Sequence, residues 1–98
     1  MRNYELVFIV SPEVTAETLP TTVEKVSQMV SARGGTVTEV KPWGKRRLAY
    51  PIKRFREGNY FLAQLQMDPQ KTSDLESSLR ISEEILRHLL VKLGDTEQ

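Results

Sequence analysis

The sequence predicts an α+β domain with elements in the order β-α-β-β-α-β, its two helices lying on one face of a four-stranded antiparallel sheet. Three observations predict it. Apolar residues run unbroken from Leu6 to Val10, and nearly so from Ile85 to Leu93, as in strands covered on both faces. Leu19, Val23, Val26 and Val30 recur instead with the 3.6-residue period of a helix. Between these lie β-branched or alternating stretches, from Thr36 to Ile52 and from Tyr60 to Met67, punctuated by glycine and proline.

Taken in order, the first strand is ended by Ser11-Pro12. The helix that follows has Glu17 near its start, where the backbone dipole favours an anion, and Gly34-Gly35 as its stop. Pro20 fits it only in the first turn, where a missing N–H does no harm. In the second strand Val37 and Val40 are three apart, and Pro42 and Gly44 follow closely, so a bulge or bend is expected there. Leu48, Tyr50 and Ile52 then alternate as the residues that hold this strand to the core. Pro51 cannot donate to a ladder, which places the strand at a sheet edge. A turn over Arg56–Asn59, pivoting on Gly58, leads into the third strand, Tyr60–Met67. Asp68-Pro69 stops it and opens a second helix, with Leu75 and Leu79 facing inward and Thr72 or Ser78 beside them. The Ser- and Gln-rich surface of that helix makes it depend on packing more than on propensity. The last strand is apolar on both faces apart from Arg87, His88 and Lys92. Right-handed crossovers in both β-α-β units put the helices on one side, the ferredoxin-like split β-α-β arrangement. No repeat, linker or low-complexity run divides the chain, so residues 1–98 form a single domain.

With 39% hydrophobic and 28% charged residues the composition is that of an ordinary globular protein. The absence of cysteine excludes disulfide frameworks, thiol catalysis and thiolate metal sites. The apolar run Leu6–Val10 is too short for a signal sequence or a membrane span, so a soluble intracellular protein is expected. The net charge is only +1, but its distribution is uneven. Lys41, Lys45, Arg46, Arg47, Lys53, Arg54 and Arg56 fall in one stretch without an anion, while the rest of the chain carries seven cations against thirteen anions. An acidic body with one basic segment creates a directed field that the net charge conceals.

Strand parity gives the bare side of the sheet. If Leu6 and Phe8 face the helices, Val7 and Ile9 face away; on the other strands Tyr60, Leu62, Leu89 and Val91 join them, and His88 points inward. Six apolar positions on adjacent strands form a patch of the kind that marks a protein partner.

Chemistry of the catalytic kind is hard to find. One histidine, no cysteine and dispersed carboxylates supply no nucleophile, no tuned acid or base and no metal site. Glu83-Glu84 lacks further ligands at metal spacing, and His88 reads as a packed strand residue or an RNA contact. Acyl-phosphate hydrolases share the topology, but the first strand-to-helix loop, SPEVTAET, has no glycine or cation with which to hold phosphate. Trp43, Tyr50 and Phe55 interleave with the seven cations, which is the pattern of a nucleic-acid surface: cations displace counterions from phosphates, and flat rings stack on unpaired bases. The window Glu57–Leu65 is a poor copy of the RNA-recognition motif, because Leu62 stands where a stacking ring would help. The hairpin is therefore expected to meet RNA and the sheet face a protein, with Trp43 either stacking on RNA or packing the hairpin.

With those features in hand, the chain resembles the bacterial small-subunit ribosomal protein six family. The carrying residues are Met1-Arg2-Asn3-Tyr4-Glu5, Trp43-Gly44-Lys45-Arg46-Arg47-Leu48-Ala49-Tyr50-Pro51-Ile52, Gly58-Asn59-Tyr60 and Arg87-His88-Leu89-Leu90-Val91-Lys92. The resemblance implies a cytoplasmic, ribosome-bound component with no enzymatic activity, cofactor, metal, membrane or small-molecule substrate. It implies binding to the central domain of small-subunit ribosomal RNA together with ribosomal protein eighteen of the small subunit, supporting platform assembly and translation. Carried over by position, Arg2, Arg46, Arg47, Lys53, Arg54, Arg87 and Lys92 are the expected RNA contacts, joined by Lys45 and Arg56 of the basic segment; the face read from parity, Val7, Ile9, Tyr60, Leu62, Leu89 and Val91, is the expected partner face. His88 stands where some relatives carry a second arginine, and no long charged C-terminal tail carries over. Two other readings compete. An acylphosphatase-like or ligand-binding domain predicts turnover dependent on a loop arginine. A protein-only adaptor predicts that Arg46→Glu with Arg47→Glu leaves ribosome association unchanged.

Overall fold

In a computed structural model that describes residues 1–94, the chain runs β1 (Arg2–Val10), α1 (Leu19–Ser31), β2 (Thr36–Ile52), β3 (Phe55–Met67), α2 (Thr72–Ile81) and β4 (Ile85–Lys92). The expected element order is present, with the first and third strands longer than their apolar runs suggested. Residues 95–98 lie outside the described residues. The strands form one antiparallel sheet in the order β2-β3-β1-β4, which puts β2 at an edge, as expected.

The core lies between the sheet and the two helices. Tyr4, Leu6, Phe8 and Val10 alternate inward from β1 and meet Phe61, Ala63, Leu65 and Met67 of β3. Val26 and Val30 of α1 and Leu75 and Leu79 of α2 close over them, while Leu19 and Val23 sit half-buried at the margin. Phe8 and Phe61, directly opposite in the ladder, stack with centroids 5.3 Å apart. Each fully covered Leu, Met or Phe contributes about 1.5–3 kcal/mol through the apolar area removed from water.

Both helices begin and end for local reasons. Pro20 falls in the first turn of α1, where its missing donor is not needed; Glu17 lies just ahead of the helix, whose first turn holds no acidic residue. At the other end Gly34, at φ 79, lets its own N–H reach Ser31 O at 3.0 Å and Gly35 N–H reach Val30 O at 3.0 Å, a Schellman closure. Asp68 accepts a bond from Gln70 N–H and starts a short 3-10 turn, Pro69–Lys71, ahead of α2. Arg33 joins the helices, donating to Met29 O at 2.9 Å and to Ser78 Oγ at 2.5 Å.

His88 points to the helix side, as parity required. Opposite Phe8 in the ladder, its Nε2 lies 2.8 Å from Glu76 Oε1 of α2, with the imidazole largely covered. It ties β4 to α2 and does not join a catalytic cluster. Among the described residues no three His, Asp or Glu side chains converge as metal ligands, and no helix is long and apolar enough to cross a membrane.

Candidate nucleic-acid interface

The basic segment occupies β2 and the hairpin joining it to β3. The turn is not at Arg56–Asn59. Ile52 pairs with Phe55, so the chain reverses over Lys53-Arg54, with Lys53 at φ 60 in the left-handed region that a two-residue hairpin demands. Gly58, expected as the pivot, is buried inside β3. A Cβ there would lie 2.5 Å from Ile9 Cγ2 and 3.1 Å from Val10 O, so the glycine permits close approach of strands rather than a reversal.

β2 breaks register with β3 three times: between Val37 and Glu39, between Pro42 and Gly44, and between Arg47 and Ile52. The first two are the irregularities the valine spacing and the Pro-Gly pair foretold. In the third, Leu48–Pro51 has no ladder partner on β3 and arches over the sheet face that carries no helices. Leu48 is buried there against Ile9 and Leu86, with Ile52, Phe55 and Tyr60 packed around them. Leu86 reaches this side because β1 and β4 slip register at Ile9/Val10, so that Ile85 enters the main core and both Leu86 and Arg87 face the arch.

Two expectations change as a result. Tyr50 does not hold the edge strand to the core: it is 55% exposed, its hydroxyl accepts from Arg87 Nη1, and the Arg87 guanidinium lies 5.7 Å from its ring centroid. Ile9 does lie on the helix-free side, but it is only 7% exposed because the arch covers it.

The rest of that face follows from the register. Lys41, Leu62, Val7 and Leu89 form one row across the sheet, and Glu39, Gln64, Glu5 and Val91 the next. Leu89 and Val91 are 60% and 41% exposed, whereas Val7, Leu62 and Tyr60 are half-buried. The exposed apolar surface is thus a narrow band leaning toward the β4 edge, bounded by polar residues. Beside it a cleft of about 320 Å³ runs under the arch, lined by Leu48, Tyr50, Ile52, Tyr60, Arg87 and Leu89 among others, and by no carboxylate.

All seven cations of the hairpin are exposed. Three face a carboxylate: Lys41 at 4.0 Å from Glu39, Lys45 at 3.7 Å from Glu57, and Arg54 at 2.6 Å from Glu13. Every partner in these pairs is at least half exposed, so water and salt weaken them and the cations remain available to another anion. Among the described residues Arg47, Lys53 and Arg56 have no carboxylate within ion-pair distance. Arg46 lies over Trp43, and Arg54 also lies 4.6 Å over the centroid of Phe55. Among the described residues Arg54 reaches the first strand-to-helix loop, where it donates to Glu13 Oε2 at 2.6 Å.

Of the other expected contacts, Arg87 joins the hairpin through Tyr50. Arg2 and Lys92 do not: Arg2 pairs opposite Met67 and Lys92 opposite Tyr4, at the end of the sheet away from the turn, roughly 25 Å along β1. The sequence reading missed the Leu48–Ile9–Leu86 cluster and the Tyr50–Arg87 contact. An isolated glycine inside a strand, Gly58, was the available signal for close backbone approach.

Comparison with known proteins agrees with this geometry. The sequence profile of the family described as ribosomal protein S6 matches residues 3–92. The chain is 42% identical to small ribosomal subunit protein bS6 of Moorella thermoacetica over 95 residues, 97% of each chain. It is 42% identical to the protein of the same name from Clostridium acetobutylicum, covering 95% of this chain and 98% of that one. The crystal structure of 30S ribosomal protein S6 from Thermotoga maritima superposes with a TM-score of 0.86 at 34% identity, over 94% of this chain and 87% of that one. The C-terminal domain of the MgtC protein from Mycobacterium tuberculosis, at 14% identity and a TM-score of 0.60, shares the fold alone. A profile spanning nearly every described residue, close relatives along the whole length and a matching strand order lead to one conclusion: the chain belongs to the ribosomal protein S6 family.

Proposed function

We propose that this chain binds the central domain of small-subunit ribosomal RNA through its basic hairpin, and ribosomal protein eighteen of the small subunit through the helix-free sheet face, so that the two proteins support platform assembly together. A member of this family is a structural component of the small ribosomal subunit, ribosome-bound in the cytoplasm, and not an enzyme. The observation that carries the finer reading is the exposed set of hairpin cations, with Arg47, Lys53 and Arg56 lacking any carboxylate among the described residues. Such a set gains affinity by displacing counterions from phosphates, and that gain falls steeply as salt rises. Arg46, Arg47, Lys53, Arg54, Arg56 and Lys45 form the principal contact. Arg87 sets the arch beside them, and Arg2 and Lys92 meet a separate length of backbone at the other end of the sheet. The partner takes Val7, Leu62, Leu89 and Val91, with Tyr60 at the margin; Ile9 supports this surface from below.

A few phosphate contacts alone bind weakly at physiological salt. The test is a filter-binding titration on a central-domain RNA fragment, with and without ribosomal protein eighteen, at two salt concentrations. Weak, salt-sensitive binding by this protein alone and tight binding by the pair are expected. Tight, salt-insensitive binding by this protein alone would overturn the cooperative reading.

A further inference from the structure

We propose that Trp43 is a stacking site for an unpaired nucleobase, with Arg46 holding the opposite face of its ring. The proposal rests on the RNA-binding reading above and adds that the hairpin engages a base as well as phosphate. Three aromatic residues lie among the hairpin cations, and the structure occupies two of them. Phe55 is half-buried in the cluster under the arch and carries Arg54 on its ring. Tyr50 is clasped by Arg87 through both its hydroxyl and its ring. Trp43 belongs to neither hydrophobic cluster and is 40% exposed.

The position of Trp43 is built by the backbone. Pro42 pairs with Phe61 and Gly44 with Tyr60, so Trp43 is the extra residue of a bulge, and a bulge re-aims its side chain away from the ladder. Gly44 makes the turn at φ 86, and a Cβ there would meet nothing within 4 Å, so the space beside it is open. The Arg46 guanidinium lies 5.5 Å from the Trp43 ring centroid, and its Nε donates to Trp43 O at 3.4 Å. One side of the indole is therefore set by a cation while apolar ring surface remains in water. Lys41, Lys45, Arg46 and Arg47 flank it in sequence, all exposed. Flat rings amid cations that follow a phosphate backbone are the recurring construction of single-strand sites, since every base presents a π-face. Protein-interface cores, in contrast, are depleted in lysine, as at Lys41 and Lys45.

Trp43 is the one tryptophan of the chain, so its fluorescence reports this ring alone. The probe is a single-stranded oligoadenylate of roughly ten nucleotides, compared with a blunt RNA duplex of equal phosphate count, at about 50 mM salt where weak phosphate binding is measurable. The single strand is expected to quench Trp43 with the same midpoint that anisotropy of labelled RNA gives, and the duplex to bind with little quenching. Trp43→Ala is expected to weaken single-strand binding roughly ten-fold with the salt dependence unchanged, and Trp43→Phe to retain most of the affinity. Circular dichroism confirms the fold of both variants. Binding without quenching, and unaltered by Trp43→Ala, overturns the stacking site while leaving the RNA reading intact. No binding to either RNA overturns both. Loss of binding to ribosomal protein eighteen in Trp43→Ala, with RNA binding unchanged, assigns the ring to a protein contact and overturns the proposal.

Discussion

Replacing Gly58 with alanine adds one methyl group at the place where β3 passes closest to β1 on the arch side. Gly58 does not have a positive φ, so the backbone itself accepts alanine, and stiffening the unfolded chain contributes about 0.4–1 kcal/mol in favour of the variant. Sterics act against it. The new Cβ would lie 2.5 Å from Ile9 Cγ2, on a β-branched side chain with little rotamer freedom, and 3.1 Å from the Val10 carbonyl oxygen, which is backbone. Overpacking a filled site of this kind costs about 1–3 kcal/mol. The net expectation is a loss of about 1–2 kcal/mol, read in urea as a lower midpoint at constant slope, or as a fall in Tm of roughly 5–15 °C. A double-mutant cycle locates the cause. In an Ile9→Ala background the principal clash is gone, so Gly58→Ala should be nearly neutral there. An unchanged midpoint for the single variant, or an equal loss in both backgrounds, would refute the close-approach argument and return Gly58 to the role of a flexible turn residue.

Leu48→Ala should cost about 2 kcal/mol, the low end for a buried leucine because the arch can settle onto the space left behind; urea denaturation reads it, and a loss under about 0.5 kcal/mol would mean the arch is not anchored there. Gly34→Ala should destabilise by about 1–2 kcal/mol, since a Cβ at φ 79 strains the backbone although no neighbour obstructs it; the same titration tests this. Tyr50→Phe removes the hydroxyl that Arg87 donates to at an exposed site, so its stability should fall by no more than about 1 kcal/mol. Arg46→Glu with Arg47→Glu should reduce the slope of log affinity for RNA against log salt by about two units and impair ribosome association, whereas unchanged association would favour a protein-only adaptor.

The fold was legible because its strongest signals are local. The stripe Leu19–Val30, the glycine pair behind it and the apolar runs in β1 and β4 each specify an element without reference to the rest of the chain. The edge position of β2 was read from Pro51, and the strand does lie at the edge, although Pro51 itself falls in the stretch with no ladder partner, where a missing N–H is not needed. The reversal over Lys53-Arg54 was not, because neither residue advertises a turn: Lys53 takes a left-handed backbone that asparagine or glycine would normally signal, and the nearby Gly58 drew attention instead. Tyr50 was misjudged for a related reason. Strict alternation from Leu48 to Ile52 assumes a paired strand, and four unmatched residues in that stretch, Leu48–Pro51, turn the side chains elsewhere. Of the site, the cations were visible as a charge run. What the sequence could not convey is that Arg2 and Lys92 sit at the far end of the sheet, since that follows from the register between strands distant in sequence.

The strand order has a consequence for synthesis. β1 is made first, yet it lies between β3 and β4, and one of its two neighbours spans Ile85–Lys92. While the chain is still emerging, β1 can pair with β3 through a loop of intermediate length, but its other edge stays bare until β4 has been made. At the usual pace of elongation the nascent chain therefore spends seconds with an unpaired central strand. The final ladder must join segments about eighty residues apart, a non-local closure of the kind that slows folding. The central strand is therefore completed only after every other element of the sheet has been made.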